Sequence, residues 1–180
     1  MEYKHFHIVI TGATSPVGIS IINEWVKHNK NILAIIRPNS KNRKRLPVAD
    51  NIHIVECNFE DLDTLDSLNY TCDIFYHIAW KGTNKSDRLD CMIQCENIAI
   101  SMKAVQLAKK WQSTTFIGAG SQAEYGRIKG IINETTKVDP DTAYGIAKYA
   151  VGKLTYEYCK SNGIKFIWGR IFSAYGLYDG

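Results

Sequence analysis

The sequence predicts a doubly wound α/β domain on a parallel sheet, and three observations carry the prediction. Short β-rich runs alternate along the chain with longer stretches of helical periodicity. Most of the β-rich runs are solidly apolar, as strands buried on both faces are. A glycine-bearing turn joins the first strand to the first helix. Right-handed crossovers between such units place helices on both faces of the sheet.

The elements follow in order. Residues 6–10 (FHIVI) read as a strand, and an amphipathic helix follows from Pro16 to about His28. Residues 31–36 and 52–55 are the second and third strands. Residues 61–68 form a short helix whose acidic residues suit its N-terminal end. A fourth strand covers 73–79, and a long helix covers about 89–111 through Ile93, Asn97, Ile100, Ala104 and Leu107. A fifth strand at 114–118 runs into a Gly-rich loop, a helix covers 142–159, and a sixth strand covers 164–168.

Composition excludes other classes. Of 180 residues, 45% are hydrophobic and 22% charged, which is ordinary for a globular domain and unlike a disordered or collagen-like chain. No apolar run approaches the ~18–20 residues that cross a bilayer, so no membrane partner is expected. The N-terminus leads straight into a strand without an apolar leader segment, so a cytoplasmic protein is expected. The five cysteines are odd in number and irregular in spacing, which is no disulfide framework. Cys91 and Cys95 share a helix face but lack further ligands by spacing, so no metal is expected and small buried residues explain the cysteines better. His5 and His7, two apart on one strand face, read as packing or edge residues.

The turn Thr11-Gly12-Ala13-Thr14-Ser15-Pro16-Val17-Gly18 has what a nucleotide diphosphate needs: backbone unobstructed by Cβ atoms, and unpaired N–H groups at a helix start. Gly12 makes the turn and Gly18 the close helix–strand contact, while Ser15 and Pro16 suit the N-cap and first helical positions. Gly12, Thr14, Ser15, Pro16, Val17 and Gly18 are therefore cofactor-binding candidates. The end of the second strand then selects the cofactor. NAD-binding domains place a carboxylate there for the ribose 2′-hydroxyl. Here Arg37 follows, with Ser40, Lys41 and Arg43 close behind. Cations attract a 2′-phosphate, so this part of the basic run, on a chain of net charge +4, points to NADP with NAD as the alternative, rather than to nucleic acid. Lys44 and Arg45 read as solvated.

Tyr144 and Lys148 lie four apart on a helix and share a face. At ~5 Å and an effective dielectric of ~20, the ammonium favours a phenolate by roughly 3 kcal/mol, enough for proton transfer near neutral pH.

These motifs resemble the extended short-chain dehydrogenase/reductases that act on nucleotide sugars. Their turn reads Thr-Gly-Ala-Thr-Gly-x-x-Gly, and Ser15 stands at its middle glycine. His77-Ile78-Ala79-Trp80 is similar to their His-x-Ala segment beside the cofactor. Asn97 falls at an Asn that organises the active site. Residues 170–176 resemble Arg-x-Phe-Asn-x-Tyr-Gly, with Ser173 for the Asn. Aligned on Tyr125-Gly126, Ser121 matches the Ser/Thr that bonds the reacting oxygen. The resemblance implies a Rossmann fold in which Tyr144 is the acid/base, Lys148 tunes it and holds the nicotinamide ribose, and Ser121 and Asn97 complete the catalytic set. His77 and Ala79, with Ser40, Asn58 and Phe59, complete the cofactor-binding set.

Dehydratases of this family carry Thr-Asp-Glu-x-Tyr-Gly. Gln122 and Ala123 occupy the two acidic positions here, and Glu124 is displaced by one residue, so dehydration is disfavoured. Arg37 tilts the remaining choice towards an NADPH-dependent reductase of a keto group on a nucleotide-activated deoxysugar, used in surface-polysaccharide synthesis. The alternatives are a nucleotide-sugar epimerase that retains its cofactor and, in another class, a non-catalytic NAD(P) sensor. The intact Ser121, Tyr144 and Lys148 speak against the sensor. The resemblance also implies a homodimer through the two long helices. It further implies that residues 1–180 are the Rossmann domain with its catalytic residues, truncated before most of the substrate lobe.

Overall fold

The structure is a computed structural model and describes residues 2–176. Six parallel strands form one sheet: β1 (Lys4–Thr11), β2 (Ile32–Ile36), β3 (Ile52–Glu56), β4 (Tyr70–His77), β5 (Thr115–Ser121) and β6 (Lys165–Ile171). Their order is β3-β2-β1-β4-β5-β6, the doubly wound arrangement expected. The three α-helices are α1 (Pro16–Lys27), α2 (Cys91–Lys110) and α3 (Ala143–Ser161).

Both faces of the central strands are covered, which explains their unbroken apolar runs. All five residues of β2 are buried. Ile32, Ala34 and Ile36 pack with Ile8, Ile10 and the α1 residues Ile19 and Ile22. Leu33 and Ile35 pack with Val9, Phe75, Phe116 and the α2 residues Ala104, Val105 and Ala108 on the other face. Each α-helix starts on a side-chain cap: Ser15 accepts from Gly18 N, Asp90 from Met92 N and Ile93 N, and Thr142 from Gly145 N.

Three local expectations change. The acidic segment after β3 is a 3-10 helix that begins earlier, at Phe59, and runs to Ser67. The basic run also folds, as a 3-10 helix over Lys41–Arg45. β4 ends at His77, which leaves Ala79 on the loop beyond it. Cys57, Cys72 and Cys159 are buried as expected, whereas Cys91 and Cys95 are exposed on α2 because the face they share points away from the sheet. Among the described residues, no helix is long and apolar enough to cross a membrane, and no three or more His, Cys, Asp or Glu side chains cluster as metal ligands.

Candidate functional site

The chain reverses direction in the sheet between β1 and β4, and a crevice forms at the C-terminal ends of strands flanking such a switch. A cavity of about 330 Å³ lies there. Its lining includes Gly12, Thr14, Ser15, Pro16, Arg37, Phe59 and Ala79 from the predicted set.

The turn after β1 is built for close approach. Gly12 has φ +71°, and a Cβ on it would come 2.6 Å from Ala79 N, so neither the backbone nor the space suits a larger residue. A Cβ on Gly18 would meet the Gly12 carbonyl. The Ser15 hydroxyl turns back into the loop, donating to Gly12 O at 2.8 Å and accepting from Gly18 N at 3.1 Å. It therefore tightens the turn where a glycine would leave it loose. Val17 and Gly18 sit in the first turn of α1, behind the cavity lining.

The 3-10 helix divides the basic run. With three residues per turn, positions i and i+3 share a side. Asn42 and Arg45 accordingly line the cavity beside Arg37, and Ser40, Lys41, Arg43 and Lys44 line a separate groove. Arg43 is held there by Glu56 at 2.5 Å. Arg45 thus belongs to the cavity wall, contrary to its expected solvation, because its place was decided by the unforeseen helix. Asn58 does not line the cavity; its amide donates to Asp61 at 3.2 Å, while its neighbour Phe59 turns inward. Lys81, on the far rim, bridges Glu60 at 3.1 Å and Glu96 at 2.6 Å.

His77 does not line the cavity and is bonded within the fold. Ser101 donates to Asn97 O at 2.8 Å, so its oxygen accepts from His77 Nε2 (3.0 Å), and Nδ1 is left to accept from Thr11 Oγ1 (2.9 Å). With both ring nitrogens used, His77 ties β1 and β4 to α2 beneath the cavity. Burial, assisted by the nearby Lys148 charge, pushes its pKa down to about 3, so it is neutral. Asn97, 1% exposed, accepts from Lys81 N at 2.7 Å and donates to Lys81 O and Ile93 O at 2.9 and 3.0 Å. Its amide is shared between Lys81 in the loop after β4 and the Ile93 carbonyl one turn back in α2, so it ties that loop to the helix.

Ser121, Tyr144 and Lys148 come from β5 and α3, which pack closely. A Cβ on Gly145 would collide with Ala123 O, so the first turn of α3 lies directly on the short 3-10 helix Gln122–Tyr125 that follows Ser121. Ser121 Oγ accepts from Ala123 N at 3.2 Å, which leaves its proton for another acceptor. Lys148, 4% exposed, donates to Ala119 O at 2.7 Å, two residues before Ser121. Burial pushes its pKa down to about 7; Glu124 opposes the shift and Arg88 adds to it.

Glu124 points away from this site, as its displacement in sequence suggests. It is fully buried and accepts from Ser121 N (2.8 Å), Trp168 Nε1 (3.0 Å) and Arg170 Nε (2.8 Å). Gln122 and Ala123 supply no acid in its place.

Two functional neighbours escaped the sequence reading. Trp80 lines the cavity, meets Tyr144 edge-on at 5.8 Å and takes the Lys148 ammonium 3.6 Å from its ring centroid. The Arg88 guanidinium lies 4.9 Å over the Tyr144 ring. Trp80 ends the His77–Trp80 segment, but contacts across some sixty residues leave no trace in local spacing.

Comparison with known proteins agrees with this geometry. Residues 8–180 match the NAD dependent epimerase/dehydratase family. The chain is 27% identical to the uncharacterized UDP-glucose epimerase YtcB of Bacillus subtilis (strain 168), over 94% of this chain and 57% of that protein. It superposes on UDP-glucose 4-epimerase from Thermotoga maritima with a TM-score of 0.79 at 20% identity, covering 93% of this chain and 55% of the other. UDP-glucuronic acid 4-epimerase from Bacillus cereus, in complex with NAD, gives 0.76 at 21% identity, covering 96% and 58%. The chain thus spans somewhat more than half the length of these relatives.

Proposed function

Because the chain belongs to the NAD dependent epimerase/dehydratase family, we propose that it is the dinucleotide-binding and catalytic part of a nucleotide-sugar epimerase. The observation that carries this reading is the junction of the Gly12 cavity with Tyr144 and Lys148 through Trp80. The relatives named as UDP-sugar epimerases support a UDP-sugar as substrate.

The cradle fits a dinucleotide. Gly12 lets the turn lie against the Ala79 backbone, where a Cβ would collide, and α1 presents its N-terminus to the cavity. Arg37, Asn42 and Arg45 would hold a 2′-phosphate, which makes NADP the favoured cofactor; NAD, present in one relative's structure, is the alternative. A bound nicotinamide supplies the hydride acceptor and donor. Tyr144 takes the proton from the sugar hydroxyl at its phenolic oxygen and returns it. Ser121 donates a hydrogen bond from its hydroxyl to the same sugar oxygen, and the nearby Lys148 cation offsets the negative charge that develops. Asn97 holds the Trp80–Lys81 loop against the cavity. A sugar-binding lobe, a cytoplasmic setting and a homodimer through α2 and α3 belong to the same proposal. Exposed Met92 on α2 and Ile146, Leu154 and Tyr156 on α3 support the dimer.

The Arg37 and Arg45 wall favours a second reading, a reductase that consumes NADPH. One assay separates the two. A UDP-hexose converted to its epimer with no net change in NADPH supports the epimerase. Net oxidation of NADPH by a 4-keto-6-deoxy nucleotide sugar supports the reductase. Neither reaction from the full-length protein, sugar-binding lobe included, that folds and binds NADPH refutes both.

A further inference from the structure

Trp80 stands where the cofactor cavity meets the catalytic helix, and its indole is anchored there. Its Nε1 donates to Gln94 Oε1 at 3.0 Å, and the Gln94 amide donates onward to Asp87 O at 2.8 Å. Gln94 is 2% exposed, so a buried amide on α2 spends both its polar ends on fixing this ring and the loop beside it. The Lys148 ammonium lies 3.6 Å from the ring centroid, well inside the ~6 Å reach of a cation–π contact and closed off from water, where such contacts are strongest.

Lys148 has few other supports for a positive charge. It donates to Ala119 O, and burial drives it down to about 7. Of the groups facing it, Glu124 beyond β5 favours the charge and Arg88 before α2 opposes it. His77 on β4 is neutral, and Tyr144 on its own helix lies with its ring centroid 5.8 Å away. The indole face is therefore a principal partner of the ammonium.

We propose that Trp80 is a positioning residue whose indole face holds the Lys148 ammonium at the boundary between the cofactor cavity and Tyr144. Its catalytic meaning rests on the proposed role of Lys148, but the contact can be tested without turnover. The chain, labelled at lysine Cε with carbon-13, is titrated by NMR, and the Lys148 signal is assigned by its loss in Lys148→Met. In Trp80→Leu the Lys148 midpoint falls by about one pH unit, whereas Trp80→Phe, which restores a ring face, stays within a few tenths of wild type. An unchanged midpoint in Trp80→Leu, or a fall in Trp80→Phe as large as in Trp80→Leu, overturns the proposal. The wild-type chain gives a second reading that needs no folded variant: ring current places the Lys148 Hε protons upfield of every other lysine. Hε protons among the other lysines also overturn it. In the full-length protein, unimpaired turnover in Lys148→Met would instead refute the catalytic reading and leave the titration result standing.

Discussion

Replacing Glu124 with glutamine removes one charge from a buried carboxylate that accepts from three residues and changes little else in shape. The carboxylate is fully buried, with Oε1 accepting from Ser121 N and Trp168 Nε1, and Oε2 from Arg170 Nε. The glutamine carbonyl can keep the Ser121 and Trp168 bonds. Its NH₂ then faces the Arg170 N–H, donor against donor, and the guanidinium loses its counter-charge. Breaking a fully buried pair costs ~3–5 kcal/mol. Arg170 keeps 25% of its side chain exposed and a bond to Tyr125 Oη at 3.1 Å, so the cost here is about 2–3 kcal/mol. Urea denaturation should show that loss, and the melting temperature should fall by roughly 5–10 °C. Adding Arg170→Met removes the stranded cation and should restore more than ~1 kcal/mol, a coupling that a double-mutant cycle measures. Gln122→Ala, at an exposed neighbour, should stay within ~0.5 kcal/mol. A Glu124→Gln loss below ~0.5 kcal/mol would refute the reasoning, and with it the conclusion that this carboxylate is structural and not a dehydratase acid.

Three further outcomes are expected. Arg37→Ala and Arg45→Ala should each weaken NADPH binding by about 5–30-fold, the worth of ~1–2 kcal/mol for a cation near a 2′-phosphate at an open rim, while NADH binding stays within about twofold. Equal losses for both dinucleotides, read by calorimetry, would contradict the assignment of these arginines. Gly12→Ala combines a positive φ with a Cβ 2.6 Å from Ala79 N, so it should cost ~1–3 kcal/mol of stability in urea and lose dinucleotide binding together; unimpaired binding would refute the cradle. His77, near 6.5 when unfolded and about 3 in the fold, is neutral in the native state. Its contribution to stability is complete above pH 6.5. As pH falls to about 3 it is lost at up to ~1.4 kcal/mol per pH unit, because only the unfolded chain takes up the proton. His77→Gln should flatten that part of the stability profile, and an unaltered slope would show that His77 is not the group responsible.

The fold was legible because its signals are local. β2 is five consecutive buried apolar residues, and the Ser15-Pro16 entry to α1 lies beside the Gly12 turn it serves. Tyr144 and Lys148 were legible for the same reason, as one helix face carries both. The sides taken by Asn42, Arg43 and Arg45 were not, since a basic run with no apolar period gives no sign that it will wind into a 3-10 helix. The split between Phe59 facing in and Asn58 facing out depends on where that segment's helix starts, two residues before the expected point. His77 looked like a cofactor contact, and only the packing of Thr11 and Ser101 around it shows both nitrogens occupied. Trp80, Gln94 and Arg88 meet Tyr144 and Lys148 through tertiary contacts that no spacing rule describes.

The cavity between the Gly12 turn and Arg37 is assigned to a dinucleotide, and titration with NADPH, followed by backbone amide NMR, puts that assignment to the test. One molecule should bind per chain and saturate. Shifts should concentrate at Gly12–Gly18, Arg37, Asn42, Arg45, Phe59 and Ala79–Lys81, and Lys41 and Arg43 in the outer groove should stay still. A folded chain that shows no saturable binding in the millimolar range, or shifts that gather outside this cavity, would contradict the assignment.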